Sequence, residues 1–422
     1  MGVMPLWLLL GSIMIAPQLW VPGLIDLRVD FVVYPVWILV LIARGRLAEA
    51  FRFHALDGFY AMMYLWVIFS SLANGWTDIS SHQLYLYTKY WVVLRFTCAS
   101  IKDVRDLRGA GYAFMVMALI LAVEGIQHTF SPTGTGWAGQ SFAWIDAEAA
   151  RSIGLKSRIR WIGIFDGPGV FCVVFTSALP FAFRYLVPPM GLAKRGLAAA
   201  FIVAPLGLAA YYTGSRGGIL ATAASLAIFA LSRFRISLGK LVLTCLVVLA
   251  ALSLAPAYLT ETKDSNHSAQ GRIDMWALGF QMVQTNPIFG IGRGNFGRYT
   301  GRLVAHNSGL EAMGEMGIPG LFAWMAMLYL GFKGLAVGMR STQDPANREA
   351  LLAVSIAMAG YLVSSLFVSL ESEIMYFLLG LMAGGSRISG LATSFGRRDF
   401  ATVTAIMLTY IVVFKIYVAG YY

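Results

Sequence analysis

The sequence is poor in the groups on which soluble chemistry usually rests. Charged residues make up only 13% of its 422 positions, and it has five histidines and three cysteines. Cys98, Cys172 and Cys245 all fall inside apolar segments without paired spacing. That argues against a disulfide framework or a zinc site and leaves helix packing as their use. No second histidine stands at ligand spacing from His306, so no metal is expected, and no strand precedes a glycine-rich turn in the way a dinucleotide cofactor would need. No stretch reads as a separate soluble recognition domain.

What the chain has in excess is apolar surface. Hydrophobic residues reach 58% and mean hydropathy is +0.69. A soluble fold of this length would expose large apolar patches, so the composition predicts an all-α polytopic membrane protein. Apolar runs of helix length lie at about 3–21, 29–43, 56–73, 83–101, 109–128, 168–187, 196–213, 216–232, 238–257, 305–336, 349–369, 372–386 and 400–420, which predicts about 12–13 transmembrane helices. The first run lacks a basic start and a small-residue cleavage site, and reads as a retained membrane helix. The expected segmentation is N-terminal helices over 1–128, a loop over 129–167, central helices over 168–257, a second loop over 258–304 and C-terminal helices over 305–422.

Basic residues set the orientation. With the N-terminus inside, Arg44, Arg46, Arg52, Lys102, Arg105, Arg108, Arg184, Lys194, Arg195, Arg233, Arg235 and Lys240 fall in inner loops, as do Lys333, Arg340, Arg348, Arg387, Arg397 and Arg398. A second set falls on the outer side: Arg151, Lys156, Arg158 and Arg160, then Arg216, then Lys263, Arg272, Arg293, Arg298 and Arg302 before His306. Topology does not explain outer cations. They point to an anionic ligand, phosphate or diphosphate first, because the guanidinium fork matches phosphate oxygens. Anionic lipid at the inner surface accounts for the remaining basic residues, and nothing points to nucleic acid.

Lys89 and Arg95 lie within an apolar run, where a cation needs a partner or a water-filled cavity. Arg95 reads as half of a buried structural pair. Lys89, with Tyr85, Tyr87 and Tyr90 beside it, reads either that way or as part of the anion site. The glycine-rich segment Gly290-Ile291-Gly292-Arg293-Gly294-Asn295-Phe296-Gly297 is either a plain turn or a turn whose N–H groups face an anion. An amphipathic pattern from Arg272 to about Val283 predicts a helix that Asn286-Pro287 ends. His306-Asn307 opens the next helix. His306 is placed to accept a proton from a hydroxyl or to hydrogen-bond it, while Glu311 and Glu315, one turn apart, either orient that ring or pair with arginines. Trp161 beside Arg160 is a candidate for stacking on a sugar face.

The combination of Ser215-Arg216-Gly217-Gly218 with Arg272-Ile-Asp-Met-Trp276, Asn286-Pro-Ile-Phe-Gly-Ile-Gly-Arg293-Gly-Asn-Phe296, His306-Asn-Ser-Gly-Leu-Glu311 and Glu315-Met-Gly-Ile-Pro-Gly-Leu321 resembles the O-antigen ligase and Wzy-type polymerase superfamily. The resemblance covers about Tyr212 to Leu321. It implies a GT-C-like fold in which a periplasmic helical loop covers the active site of a bacterial inner-membrane protein. It also implies a metal-independent, inverting transfer of an undecaprenyl-diphosphate-linked glycan to an acceptor sugar hydroxyl, without a cofactor. Arg216, Arg272 and His306 would be catalytic, with Arg216, Arg272, Lys89 and Arg293 on the diphosphate. Arg158, Arg160, Trp161, Asn307 and Glu311 would contact substrate. Polysaccharide polymerisation is slightly preferred, because only 34 positions separate Arg272 from His306. The alternative is a ligase with lipid A core as acceptor, and polysaccharide assembly proteins are expected partners of either. A transporter of an anionic lipid or solute and a non-catalytic scaffold are the remaining readings. Neither internal repeats nor paired broken helices support the transporter.

Overall fold

The computed structural model describes residues 3–17, 21, 24, 29–130, 159, 167–234, 262–301, 303–388, 390 and 393–422. Among these, 81% are helical and none is in a strand. The helices are α1 Met4–Leu10, α2 Asp30–Ala43, α3 Leu47–Ala50, α4 Ala55–Ala73, α5 Asp78–Ser100, α6 Val104–Phe130, α7 Pro168–Ala182, α8 Leu192–Ala198 and α9 Ala204–Tyr212. They continue with α10 Arg216–Phe234, α11 Thr262–Thr285, α12 Phe296–Tyr299, α13 Ser308–Ser341, α14 Pro345–Ser365, α15 Glu373–Ile388 and α16 Arg397–Ala419.

Every expected apolar run coincides with a helix, apart from 238–257, which lies outside the described residues. Among the described residues, six helical stretches are long and apolar enough to cross a bilayer: Ala55–Ala73, Val104–Gln127, Pro168–Leu186, Leu192–Tyr212, Ser308–Ser341 and Arg397–Ala419. The expected 12–13 include shorter or more charged helices that do not meet that measure and one run outside the described residues. α5, for instance, is 23 residues long but carries Lys89 and Arg95 within it. The protein is an all-α, multi-pass membrane protein.

The chain divides into two compact units that alternate along the sequence, one over 1–47, 100–261 and 344–364, the other over 48–99, 262–343 and 365–422. In the first, α6 packs on α7 and α9, and α10 packs on α7. Polar contacts join its elements. The Trp37 indole donates to Ser100 Oγ at 2.9 Å, and Arg44 lies 3.4 Å from Asp106. In the second, α13 is central and packs against α4, α11, α15 and α16. Its buried side chains, including Tyr60, Tyr87, Tyr376, Phe296 and Phe377, form the core that supports the site.

Candidate functional site

In the second unit, the site is built on the entry to α13. Asn307 is its N-cap, with extended backbone, and its side-chain oxygen accepts from the Gly309 and Leu310 N–H groups at 3.1 and 3.2 Å. This is the usual way an Asn satisfies the orphan donors of a helix start. Asn307 is fully buried, and the Tyr410 hydroxyl also donates to the same oxygen. The residue before it, His306, takes a left-handed backbone at φ +50°. For a residue with a Cβ that conformation costs roughly 1–2 kcal/mol, and such strain persists only where the surroundings impose it. The preceding carbonyl, that of Ala305, accepts the Trp276 indole N–H at 2.8 Å. Trp276 lies one helical turn beyond Arg272 on α11. The helix carrying Arg272 and the turn carrying His306 are thereby joined by a buried hydrogen bond.

The glycine-rich loop finds its place through a break in α13. Pro319 has no N–H to give the Glu315 carbonyl four residues back. Gly317 between them adopts φ +70°, and the Ile318 N–H turns away to the Pro287 carbonyl at 2.9 Å. The Gly314 and Glu315 carbonyls, released from the helix, accept the Ile291 and Gly292 N–H groups at 3.1 and 3.0 Å. The Ser70 hydroxyl adds a bond to the Glu315 carbonyl at 2.7 Å. A Cβ on Gly290 would fall 2.4 Å from the Glu315 backbone, so the loop can lie this close only with glycine there. Of the loop's N–H groups, those of Ile291, Gly292, Asn295 and Phe296 are taken up by oxygens of the protein itself.

That insertion buries Arg293 among carboxylates. Its guanidinium bonds Glu315 and Glu371 and lies 3.9 Å from Glu311. Burial works against the charge, but Tyr87, Glu315, Glu371 and Glu311 together hold its pKa well above the usual value. Glu315 also accepts the Phe296 N–H at 2.8 Å, which fixes the start of α12. Glu371 receives the hydroxyls of Tyr87 and Tyr376, and Ser369 donates to Glu311. Next to this cluster, Lys89 pairs with Glu373 at 2.8 Å.

The expected diphosphate role of Arg293 and Lys89 therefore meets side chains whose charge is already balanced by the protein. Glu311 sits in the Arg293 cluster, and pairing with an arginine is one of the uses expected of it. Tyr87 and Tyr90 are buried and not at a wet interface, since Glu371 draws their hydroxyls inward. Arg95 is the structural pair expected, 3.1 Å from Asp57 and bonded to the Ala50 and Glu49 carbonyls.

Arg216 belongs to the first unit, at the first position of α10, with an exposed side chain. Ser215 caps this helix by accepting the Gly218 N–H at 3.1 Å. α11 ends at Thr285, directly before Asn286-Pro287 as expected, but begins at Thr262, a longer helix than the amphipathic pattern alone marked. Arg158, Arg160, Trp161 and Arg302 lie outside the described residues. Among the described residues, no group of three or more His, Cys, Asp or Glu is placed to hold a metal ion.

Sequence reasoning missed Glu371, Glu373 and Tyr410. A signal existed for the first two. Glu371-Ser372-Glu373 stands between apolar runs, and carboxylates at such a place call for cations elsewhere in the membrane segments.

Residues 199–325 match the Wzy_C family, described as O-Antigen ligase. The match spans Arg216, Arg272, Arg293, His306, Asn307 and Glu311, and ends within α13. It supports placing the chain with the O-antigen ligase and Wzy-type superfamily and points to an enzyme of glycosyltransferase type. No curated protein matches the chain.

Proposed function

We propose that this protein is a metal-independent, inverting membrane glycosyltransferase. It moves a glycan from undecaprenyl diphosphate to an acceptor sugar hydroxyl on the periplasmic face of the bacterial inner membrane, acting as a polysaccharide polymerase. The observation that carries this reading is the bond from Trp276 to the Ala305 carbonyl, which ties the helix of Arg272 to the strained turn of His306 inside the family-matched stretch.

The chemistry asks little of a protein. The acceptor hydroxyl, held by His306, attacks the anomeric carbon and gives its proton to His306 or to the departing diphosphate. The bond from that carbon to the diphosphate oxygen breaks, and undecaprenyl diphosphate leaves with both electrons. The protein has to place one hydroxyl and neutralise growing negative charge, and fixed cations in a water-poor site do this well. Arg272 supplies one such charge, and the resemblance assigns the same task to Arg216. Arg293 and Lys89, balanced by Glu315, Glu371 and Glu373, instead hold the frame in which Arg272 and His306 work. Arg158, Arg160 and Trp161 are proposed to meet the glycan.

The ligase reading is kept because the family's own description is O-Antigen ligase. The test is turnover of purified protein with an undecaprenyl-diphosphate-linked repeat unit, alone and with lipid A core. A ladder formed from donor alone supports the polymerase. A product that requires lipid A core makes the protein a ligase, and a preparation that releases no undecaprenyl diphosphate in either condition contradicts both.

A further inference from the structure

Beyond the family-matched stretch, α16 presents aromatic residues at intervals of four, three and four: Tyr410, Phe414 and Tyr417 within the helix and Tyr421 just after it. That spacing places side chains on one face of a helix. The Tyr410 hydroxyl donates to Asn307, and the Tyr410 ring lies 4.7 Å from that of Phe414. Phe414 meets Trp276 edge to face at 5.1 Å, and Tyr417 tilts against the same indole at 5.8 Å. The hydroxyls of Tyr421 and Tyr422 donate to Gln270 and Asp274.

These contacts bracket the two groups that matter. Gln270, Asp274 and Trp276 flank Arg272 on α11, whereas Asn307 follows His306 directly and the Ala305 carbonyl, held by Trp276, precedes it. The fit at the turn is close. A Cβ on Gly309 would lie 2.5 Å from the Tyr410 hydroxyl, so the glycine in His306-Asn-Ser-Gly admits that hydroxyl to the helix cap. Without these neighbours, a histidine at φ +50° would relax to an ordinary backbone, and its ring would swing with it.

We propose that the aromatic face of α16 is a positioning element for the transfer reaction, with Tyr410 as its key residue, setting the separation and orientation of His306 and Arg272. The proposal rests on the glycosyltransferase reading. Neither Tyr410 nor Phe414 touches the reacting atoms in this account. Their effect passes through Asn307 and Trp276, and displacement of a catalytic group by about 1 Å is enough to cost on the order of a hundredfold in rate.

The test uses the full-length protein with Tyr410→Phe, which removes only the hydroxyl, and Phe414→Leu, which removes the ring. Two quantities are measured: kcat and KM with the undecaprenyl-diphosphate-linked donor, and amide hydrogen exchange of residues 303–310. The expected result for Tyr410→Phe is a fall in kcat of roughly ten- to a hundredfold with KM nearly unchanged, together with faster exchange at Gly309 and Leu310, whose N–H groups Asn307 caps. Phe414→Leu should move both quantities in the same direction. A variant that retains wild-type kcat overturns the proposal, as does one that loses kcat while exchange at 303–310 stays as in the wild type. Absence of turnover in the wild-type protein would sink the transferase reading itself, and the exchange rates would still decide whether α16 holds the His306 turn.

Discussion

At the scale of single residues, the cation most prominent in the sequence does structural work. Arg293 stands in a glycine-rich segment that the sequence assigns to the outer side, where it invites a phosphate. It is 7% exposed, and its guanidinium is taken up by Glu315 and Glu371, with Glu311 nearby. This was hidden in the sequence, because the partners lie 22 and 78 positions away and reach Arg293 only through the break in α13. Removing one partner of such a cluster leaves buried carboxylates uncompensated, which typically costs about 3–5 kcal/mol. Arg293→Ala should accordingly lower the unfolding midpoint of the detergent-solubilised protein sharply, whereas Arg272→Ala should leave it nearly unchanged and act on turnover. The contribution of the Arg293 guanidinium to pH dependence has a definite sign. The pKa of Arg293 is raised in the fold, so the stability it contributes is fully present at neutral pH and is lost only as pH climbs through strongly alkaline values.

At the scale of elements, the break in α13 organises the site. Pro319 and Gly317 free two carbonyls, and the loop over Gly290–Gly292 occupies them. Gly317→Ala is predicted to be severe, since it would force a Cβ to φ +70° and to within 2.3 Å of the Ile288 carbonyl oxygen. A loss of about 2–4 kcal/mol is expected from combined strain and overlap. It would be read as a fall in melting temperature and in the yield of folded protein; a variant as stable as wild type would contradict this role for the break. Parts of this were legible. Asn286-Pro287 announced the end of α11, and His306-Asn307 announced the start of α13, because capping and proline effects are local. The loop's docking was not legible, since it depends on which carbonyls a proline releases in another segment. The aromatic face of α16 was written in the spacing of Tyr410, Phe414, Tyr417 and Tyr421, but in a helix apolar on every side the pattern does not stand out.

At the scale of the whole molecule, composition and hydropathy were enough for an all-α membrane protein, and motif order was enough for the superfamily. Helix count was harder, because charged helices such as α5 and short ones such as α15 do not declare whether they cross. The second unit nevertheless makes a topological prediction. Tyr421 and Tyr422 bond Gln270 and Asp274, so the C-terminal end of α16 lies beside α11. In a background without the three native cysteines, Tyr422→Cys and Asn286→Cys should both react with a membrane-impermeant maleimide from the same face of sealed cells. Labelling from opposite faces would contradict the arrangement.

Arg272 and His306, joined through Trp276, are proposed to transfer a glycan from undecaprenyl diphosphate. The most direct measurement is release of undecaprenyl diphosphate by purified wild-type protein, compared with Arg272→Ala and His306→Ala of equal melting temperature. The account predicts release by the wild type and a fall of roughly a hundredfold or more in each variant. Release at wild-type rates by both variants, or none from the wild type, would contradict it.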